Sequence, residues 1–307
     1  MESLHFAAPV LADAPRVREL TARAMGSDAA FANTYLLQQK YGTTIAFADS
    51  FYFRHFEGNT RLCGYAFPCG EGDIAAALER IRRDAAARGR AFRFCLLTPE
   101  QKSTLCELYP GVFDLATDPG DADYIYTRDC LAELPGPAFH SKRNHITQFE
   151  RLCPQWRIAP LAEPGCAADA LCVAEQWLGG MPEPSPALLH ETRAIAHALQ
   201  HISELGLFGC VLYTAESQPI AMSIGSFISP TVADIHYEKC APEWKKAYPL
   251  INRETARMLT AAQYINREED LNQPGLRKAK LSYHPALLLE KSSATAVSDR
   301  RCTTPAT

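Results

Sequence analysis

Residues Tyr264–Tyr283 (YINREEDLNQPGLRKAKLSY) set four basic side chains, Arg267, Arg277, Lys278 and Lys280, beside three acidic ones, Glu268, Glu269 and Asp270. Guanidinium and ammonium groups gathered this way form a fork that suits a phosphate or carboxylate, and the carboxylates could orient it or act on an amine. Over YINRE a period of two puts Tyr264, Asn266 and Glu268 on one strand face and Ile265 and Arg267 on the other. Gln273-Pro274-Gly275 then punctuates, and Leu276–Tyr283 is expected to be a short helix with Arg277 and Lys280 three apart on one side. The competing reading is an ion-pair network that serves only the fold.

Three more groupings could carry chemistry. In Thr231–Cys240 strand alternation places Asp234, His236 and Glu238 on one face, with Ala233, Ile235 and Tyr237 on the other. A carboxylate near an imidazole could take a proton from an attacking amine or hydroxyl. Glu238, at the strand end before a helix, is the best-placed member; a solvated sheet face is the alternative. On the following helix Tyr248, Asn252 and Thr255 lie at helical spacing opposite Leu250, Ile251 and Met258, either as a substrate-lining stripe or as an exposed face. The run His140–His145 is the most basic patch of the first half, and Lys142, Arg143 and Arg151 suit phosphate or RNA backbone contact. Such a run on a helix is more often simply solvated.

These groups need a scaffold. At 307 residues, 47% of them apolar, the chain is long enough for about two domains with their own cores. Its 31 basic and 35 acidic residues leave a net charge of −4, so nucleic acid or anionic lipid must be met by local patches rather than a global field. No window approaches about 18 uninterrupted apolar residues, and the N-terminus lacks the basic-then-apolar run of a secretory signal, so a cytoplasmic location is expected. Eleven dispersed cysteines, odd in number and never in a C-x-x-C arrangement, indicate neither a disulfide framework nor zinc, and no metal is expected. Walker, G-x-G-x-x-G, H-E-x-x-H and G-x-S-x-G signatures are missing, which removes most of the case for nucleotide hydrolysis, dinucleotide redox and serine-hydrolase chemistry.

The periodicities predict α+β organisation, with largely antiparallel sheets and packed helices in each half, and a boundary that separates residues 1–153 from 154–307. The first half reads as strands at Thr43–Phe56, Arg61–Pro68, Ala91–Leu97, Val112–Leu115 and Tyr124–Thr127, with helices at Asp73–Arg88, Pro99–Leu108 and Pro135–Leu152. The second half contains the clearest meander, Gly206–Thr214, Pro219–Ile228 and Thr231–Cys240, then a long helix over Glu243–Ala262. Leu287–Glu290 reads as a last edge strand, and the small, polar Ser292–Thr307 as a frayed tail.

Several of these residues match a known pattern. Tyr124-Ile125-Tyr126, Lys142-Arg143-Asn144-His145, Ser223-Ile224-Gly225, His236-Tyr237-Glu238-Lys239, Tyr248-x-x-Ile251-Asn252, and above all Tyr264–Asp270 with Gly275–Lys280 resemble the soluble bacterial family related to the C-terminal domain of phosphatidylglycerol lysyltransferase. The resemblance spans nearly the whole chain. It implies two tandem GNAT-like (acetyltransferase-like) modules, similar to the fold of the Fem peptidoglycan aminoacyltransferases, in which an aminoacyl ester on tRNA is attacked by a hydroxyl or amine. The lysyltransferases carry a large membrane-embedded portion with no counterpart in these residues, so a phosphatidylglycerol acceptor does not follow. Ala247 stands where a glycine is expected, and no R-x-x-G-x-G/A cradle lies between Thr231–Cys240 and the helix, which argues against coenzyme A.

The expected function is therefore aminoacyl or acyl transfer to a small amine or hydroxyl, lipid-like acceptor, at the inner face of the membrane if that acceptor is a lipid. No resident cofactor is expected; aminoacyl-tRNA or acyl-CoA would be the donor substrate. Glu238 is expected to take the acceptor's proton, Asn266 and Glu268 to position it, and backbone amides near Ser223–Gly225 to hold the oxyanion. Tyr248, Asn252 and Asp270 would line the substrate. Arg267, Arg277 and Lys280 would hold a phosphate, and Lys142 and Arg143 would guide a tRNA acceptor arm. An acyl-CoA N-acyltransferase and a non-catalytic module that binds an anionic metabolite or aminoacylated RNA stay open beside this reading, and no feature sets an oligomeric state.

Overall fold

The structure, a computed structural model, describes residues 3–58 and 62–297. The chain separates into two compact units. Unit 1 comprises Met1–Asp123, Glu269–Arg277 and Leu288–Thr307, and unit 2 comprises Tyr124–Glu268 and Lys278–Leu287. In chain order the strands are β1 (Thr43–Ala48), β2 (Phe51–Phe56), β3 (Gly64–Tyr65), β4 (Cys69–Gly70), β5 (Arg93–Leu97), β6 (Phe113–Thr117) and β7 (Asp123–Thr127). They continue with β8 (Arg157–Pro160), β9 (Leu207–Tyr213), β10 (Pro219–Ser229), β11 (Val232–Cys240), β12 (Tyr264–Asn266), β13 (Leu287–Leu289) and β14 (Ser292–Ala296). Both sheets are mostly antiparallel and flanked by helices, so the α+β class expected from the sequence is the one observed.

Unit 1 is built on the sheet β1-β2-β3-β5-β14-β6, with β4 also paired to β2. The aromatic run Phe51–Phe56 is wholly buried and pairs with β1 through a two-residue turn, Asp49-Ser50, in which Asp49 takes φ of 51°. Helix Ile74–Ala87 starts where the Asp73 side chain accepts the Ala76 N–H, and it buries Ala77, Leu78, Ile81 and Ala85 along one stripe. The segment expected to fray behaves otherwise. Ser292–Ala296 is a strand inside the sheet between β5 and β6, with Ser292, Ala294 and Ala296 buried. Its side chains are too small to show apolar alternation, and its partners lie about 180–200 residues earlier along the chain, beyond any local pattern. Residues 298–307 lie outside those described.

Unit 2 carries the sheet order β7-β12-β11-β10-β9-β8. Its boundary departs from the expected cut at 153/154, because β7 pairs antiparallel with β12 from Tyr264↔Thr127 to Asn266↔Ile125. Helix His140–Leu152 likewise sends Ile146 and Phe149 into the core that holds Leu250 and Ile251. Long-range pairing and burial therefore assign these segments to the second unit. One face of the sheet is covered by helices His140–Leu152 and Tyr248–Met258, and the other by helices Cys166–Gly179 and Pro186–Leu199. The long helix expected over Glu243–Ala262 is a 3-10 segment, Pro242–Ala247, followed by helix Tyr248–Met258.

Two irregularities shape the sheet centre. Strands β11 and β12 run parallel and pair only from Val232↔Tyr264 to Asp234↔Asn266, after which they part. Between β10 and β11 the register shifts: Ile224 faces Tyr237 and Gly225 faces Ile235, so His236 is an extra residue with no cross-strand partner. A Cβ on Gly225 would sit 2.2 Å from the Asp234 carbonyl oxygen and 2.6 Å from the Phe208 ring. Gly225→Ala is therefore expected to cost about 1–3 kcal/mol through backbone displacement, measured as a lowered urea midpoint at unchanged m-value.

Candidate functional site

The bulge at His236 decides which polar groups meet. Ser223 pairs with Glu238 and Ser226 with Asp234, and residues three apart on β10 point to opposite faces. Glu238 therefore lies on the face covered by helix Tyr248–Met258, and Asp234 and His236 on the other. The uniform polar face expected from alternation does not exist, because one inserted residue reverses the order beyond it.

On the first face Glu238 is the centre. Arg267 Nη2 donates to its Oε1 at 2.8 Å and Asn252 Nδ2 to its Oε2 at 3.2 Å. Burial works against the Arg267 charge, but Glu238 beside it more than offsets this, and the guanidinium stays protonated. Asn252 and Thr255 are both 3% exposed, so the stripe of helix Tyr248–Met258 faces the sheet rather than solvent. Thr255 Oγ1 donates back to the Ile251 carbonyl at 2.8 Å and lies 3.3 Å from Cys210 Sγ. Tyr248, at the start of the helix, is half-buried against the same core, and burial pushes its hydroxyl up.

Lys142 also belongs here. Its Nζ donates to Ser282 Oγ at 2.7 Å and lies 3.8 Å from the Tyr283 ring centroid, and the Arg267 guanidinium is 5.1 Å from the centroid of the same ring. The expected role in guiding RNA does not fit a lysine turned inward onto an aromatic ring. Its neighbour Arg143 donates to the carbonyls of Leu134 and, at 2.8 Å, Gly136, which caps the end of helix Arg128–Glu133. Tyr283, missed by the sequence reading, lies three residues beyond Lys280 at the end of the singled-out run; its signal was present, but only folding shows that it joins two cations.

On the opposite face Ser226 Oγ is 2.8 Å from His236 Nε2, and His236 Nδ1 is 3.2 Å from Glu268 Oε1 and 3.4 Å from Asp234 Oδ2. Glu268 takes φ of 57°, held there by Asn266 Oδ1, which accepts the Glu268 N–H at 2.7 Å. Asp234, His236 and Glu268 are of metal-ligating type, and their ligand atoms lie within 4.8 Å of one another, a grouping the sequence reading did not mark as a metal site. In this structure His236 Nδ1 lies within reach of both carboxylates. The expected trio of Glu238, Asn266 and Glu268 is thus divided by the sheet, since Asn266 and Glu268 point away from Glu238 as the alternation in YINRE requires.

The remaining cations of the run are held by the fold. Arg277 makes a two-pronged pair with Asp270, Nε to Oδ2 at 2.7 Å and Nη2 to Oδ1 at 2.9 Å, and Asp270 is fully buried. Lys280 is 7% exposed and donates to the carbonyls of Arg267 at 2.6 Å and Glu268 at 3.0 Å. Arg267, Arg277 and Lys280 therefore do not form the phosphate fork that their spacing suggested. Lys280→Met is expected to destabilise by about 1.5–3 kcal/mol, because two carbonyls lose a charged donor; differential scanning calorimetry would show it as a lower Tm.

With this geometry in place, relatives become informative. Residues 20–295 match the family described as phosphatidylglycerol lysyltransferase, C-terminal. The chain belongs to this family. A conserved protein of unknown function from Bacteroides thetaiotaomicron is 32% identical over 95% of this chain and 99% of its own, with a TM-score of 0.90. The C-terminal domain assigned to a lysylphosphatidylglycerol synthetase of Agrobacterium fabrum superposes with a TM-score of 0.67 at 14% identity, covering 93% of this chain and 92% of that one. L-PGS from Bacillus licheniformis gives 0.63 at 14% identity over 92% and 91%. These two show that the fold is that of the lysyltransferase C-terminal family. No curated protein sequence matches the chain. Among the described residues no helix is long and apolar enough to cross a membrane. Family and fold point to a transferase of the lysylphosphatidylglycerol synthase type.

Proposed function

We propose that this member of the lysyltransferase family moves an aminoacyl group from aminoacyl-tRNA onto the amine or hydroxyl of a small, lipid-like acceptor. The observation that supports this most directly is Glu238, anchored by Arg267 and Asn252 on β11 beyond the point where β11 and β12 part. Past Asp234 the backbone of β11 is not paired with β12, and N–H groups on that side would hold a carbonyl oxygen that gains charge while the fixed carboxylate orients the attacking N–H or O–H. Each Glu238 oxygen accepts one hydrogen bond and keeps a lone pair, with which the carboxylate orients the acceptor. Asn266 and Glu268 support this arrangement from behind, by setting the turn that carries Arg267. A lipid-like acceptor would bring the protein to the inner face of the membrane.

Incubating the protein with labelled aminoacyl-tRNAs and, separately, labelled acetyl-CoA, each with cell lipid and metabolite extract, tests this reading. Enzyme-dependent loss of the aminoacyl ester into a new product is the expected result. Transfer from acetyl-CoA alone would make it an acyl-CoA acyltransferase, and transfer from neither, with saturable binding of an aminoacylated RNA, would make it a binding module.

A further inference from the structure

Lys142 is a half-buried lysine without a counter-ion. Its polar contacts are Ser282 Oγ and the face of Tyr283, and no carboxylate lies within ion-pair distance among the described residues. Ser282 Oγ gives its own proton to the Ala279 carbonyl at 2.6 Å, so it meets Lys142 with a lone pair. Other inward-facing lysines are matched to acceptors: Lys291 to Asp123 at 2.7 Å, Lys239 to Glu191 at 2.5 Å, and Lys280 to two carbonyls. A desolvated ammonium left without an anion is costly to keep, which favours a role over simple packing.

Its surroundings supply that role. The Tyr283 ring it covers also carries Arg267, and Arg267 holds Glu238, so one ring and one guanidinium connect the amine to the anchored carboxylate. Two buried polar atoms on the Glu238 side have no partner among the described residues: Asn252 Oδ1, whose amide nitrogen binds Glu238, and Ser223 Oγ, on the residue directly across the strand pair from Glu238. Such atoms are rare in folded proteins, and here they offer acceptors to an N–H or O–H that the fold itself does not provide.

We propose that Lys142 is the proton acceptor of the transfer step, a role that rests on the aminoacyl-transfer reading above. The neutral amine takes the proton of the attacking acceptor as the acceptor's nitrogen or oxygen bonds to the ester carbonyl carbon. The resulting ammonium returns that proton to the ribose oxygen as the carbon–oxygen bond to tRNA breaks, so the acceptor leaves aminoacylated, the tRNA leaves with a free hydroxyl, and Lys142 is neutral again.

The electrostatics agree. Desolvation draws the Lys142 ammonium down to about 8, Arg267 adds to this and Glu238 opposes it. Other charged groups on the packed elements are Arg253, paired with Glu150 and Glu254, Arg257, also paired with Glu254, and Glu243, Lys245 and Lys246 on the Pro242–Ala247 segment. A lysine kept only to stack on Tyr283 would be held charged instead, because the ring face favours the ammonium.

Two measurements on the full chain test the proposal. Pulse labelling with acetic anhydride across pH, read by mass spectrometry, titrates each lysine; Lys142 is expected to react with a midpoint near 8. A midpoint shared with the exposed lysines would overturn the proposal whatever the transfer assay shows. In that assay, with aminoacyl-tRNA as donor, wild-type kcat should climb with pH and level off above about 8, as the neutral amine becomes the dominant form. Lys142→Arg, which keeps a cation on Tyr283, and Lys142→Ala should each lower kcat by about 10²–10⁴-fold with KM little changed. Added ethylamine should restore Lys142→Ala in proportion to its neutral fraction. Wild-type kcat and pH dependence in both variants would refute the role of Lys142 and leave the transfer reading intact. A wild-type protein that transfers from no donor overturns both.

Discussion

Replacing Lys291 by methionine is expected to lower stability by about 3–5 kcal/mol, the usual cost of removing one partner from a buried ion pair. Lys291 is 3% exposed, and its Nζ reaches Asp123 Oδ1 at 2.7 Å, Ser27 Oγ at 3.1 Å and Asp28 Oδ1 at 3.6 Å. Asp28 is shared with Arg54, whose Nη2 lies 2.8 Å from Oδ2. Burial disfavours the Lys291 ammonium, yet Asp123 and Asp28 more than compensate and raise its proton affinity above that of an ordinary lysine. For a lysine with a raised folded value, the stabilisation is fully present at neutral pH and is lost only in strong alkali. Without the ammonium, Asp123 keeps the N–H and O–H of Ser27 but loses the cation that lies against its Oδ1. Urea unfolding at pH 7 would measure the loss. The double variant Asp123→Asn/Lys291→Met should regain a large part of it, and a single-variant change under about 1 kcal/mol would mean that water compensates the site.

Glu238→Gln is expected to reduce transfer by about 10²-fold or more, the scale associated with displacing a reacting group by about 1 Å. The amide keeps the size of the carboxylate but offers one acceptor oxygen where Arg267 and Asn252 now use two. Arg267, 14% exposed, also loses its anion, so some stability should be lost as well. The measurement that separates the effects is kcat and KM on protein shown to be folded by circular dichroism. If Glu238 orients the acceptor, kcat falls and the acceptor's KM rises; unchanged kinetics in folded protein would leave Glu238 with a structural part only.

Much of the fold was legible locally. The meander β9-β10-β11 was expected over Gly206–Thr214, Pro219–Ile228 and Thr231–Cys240 and lies at Leu207–Tyr213, Pro219–Ser229 and Val232–Cys240. Helices with a cap and a clear stripe, Ile74–Ala87 behind Asp73 and Pro99–Leu108 behind Thr98, also lie where their patterns put them. Such elements are written by neighbouring residues. Ser292–Ala296 was not legible, because small residues mark a central strand only through partners far away in the chain.

For the site, residue types were legible and groupings were not. Composition and motif together single out Glu238, Arg267, Asn252 and Lys142 as chemistry-bearing groups, and the family resemblance names the class of reaction. Alternation along YINRE correctly separates Arg267 from Asn266 and Glu268, since a strand's faces follow from its own covalent geometry. Tertiary structure alone decided the rest. One unpaired residue, His236, turns Glu238 away from Asp234, and that depends on the register of β10. Arg277, Lys280 and Arg143 are spent on Asp270 and on backbone carbonyls, while Lys142 lies against Tyr283 and Ser282 with no carboxylate in ion-pair distance among the described residues. Charge and spacing state which ions a chain carries; the partners that neutralise them come from distant segments, and only packing determines which ions remain to act on a substrate.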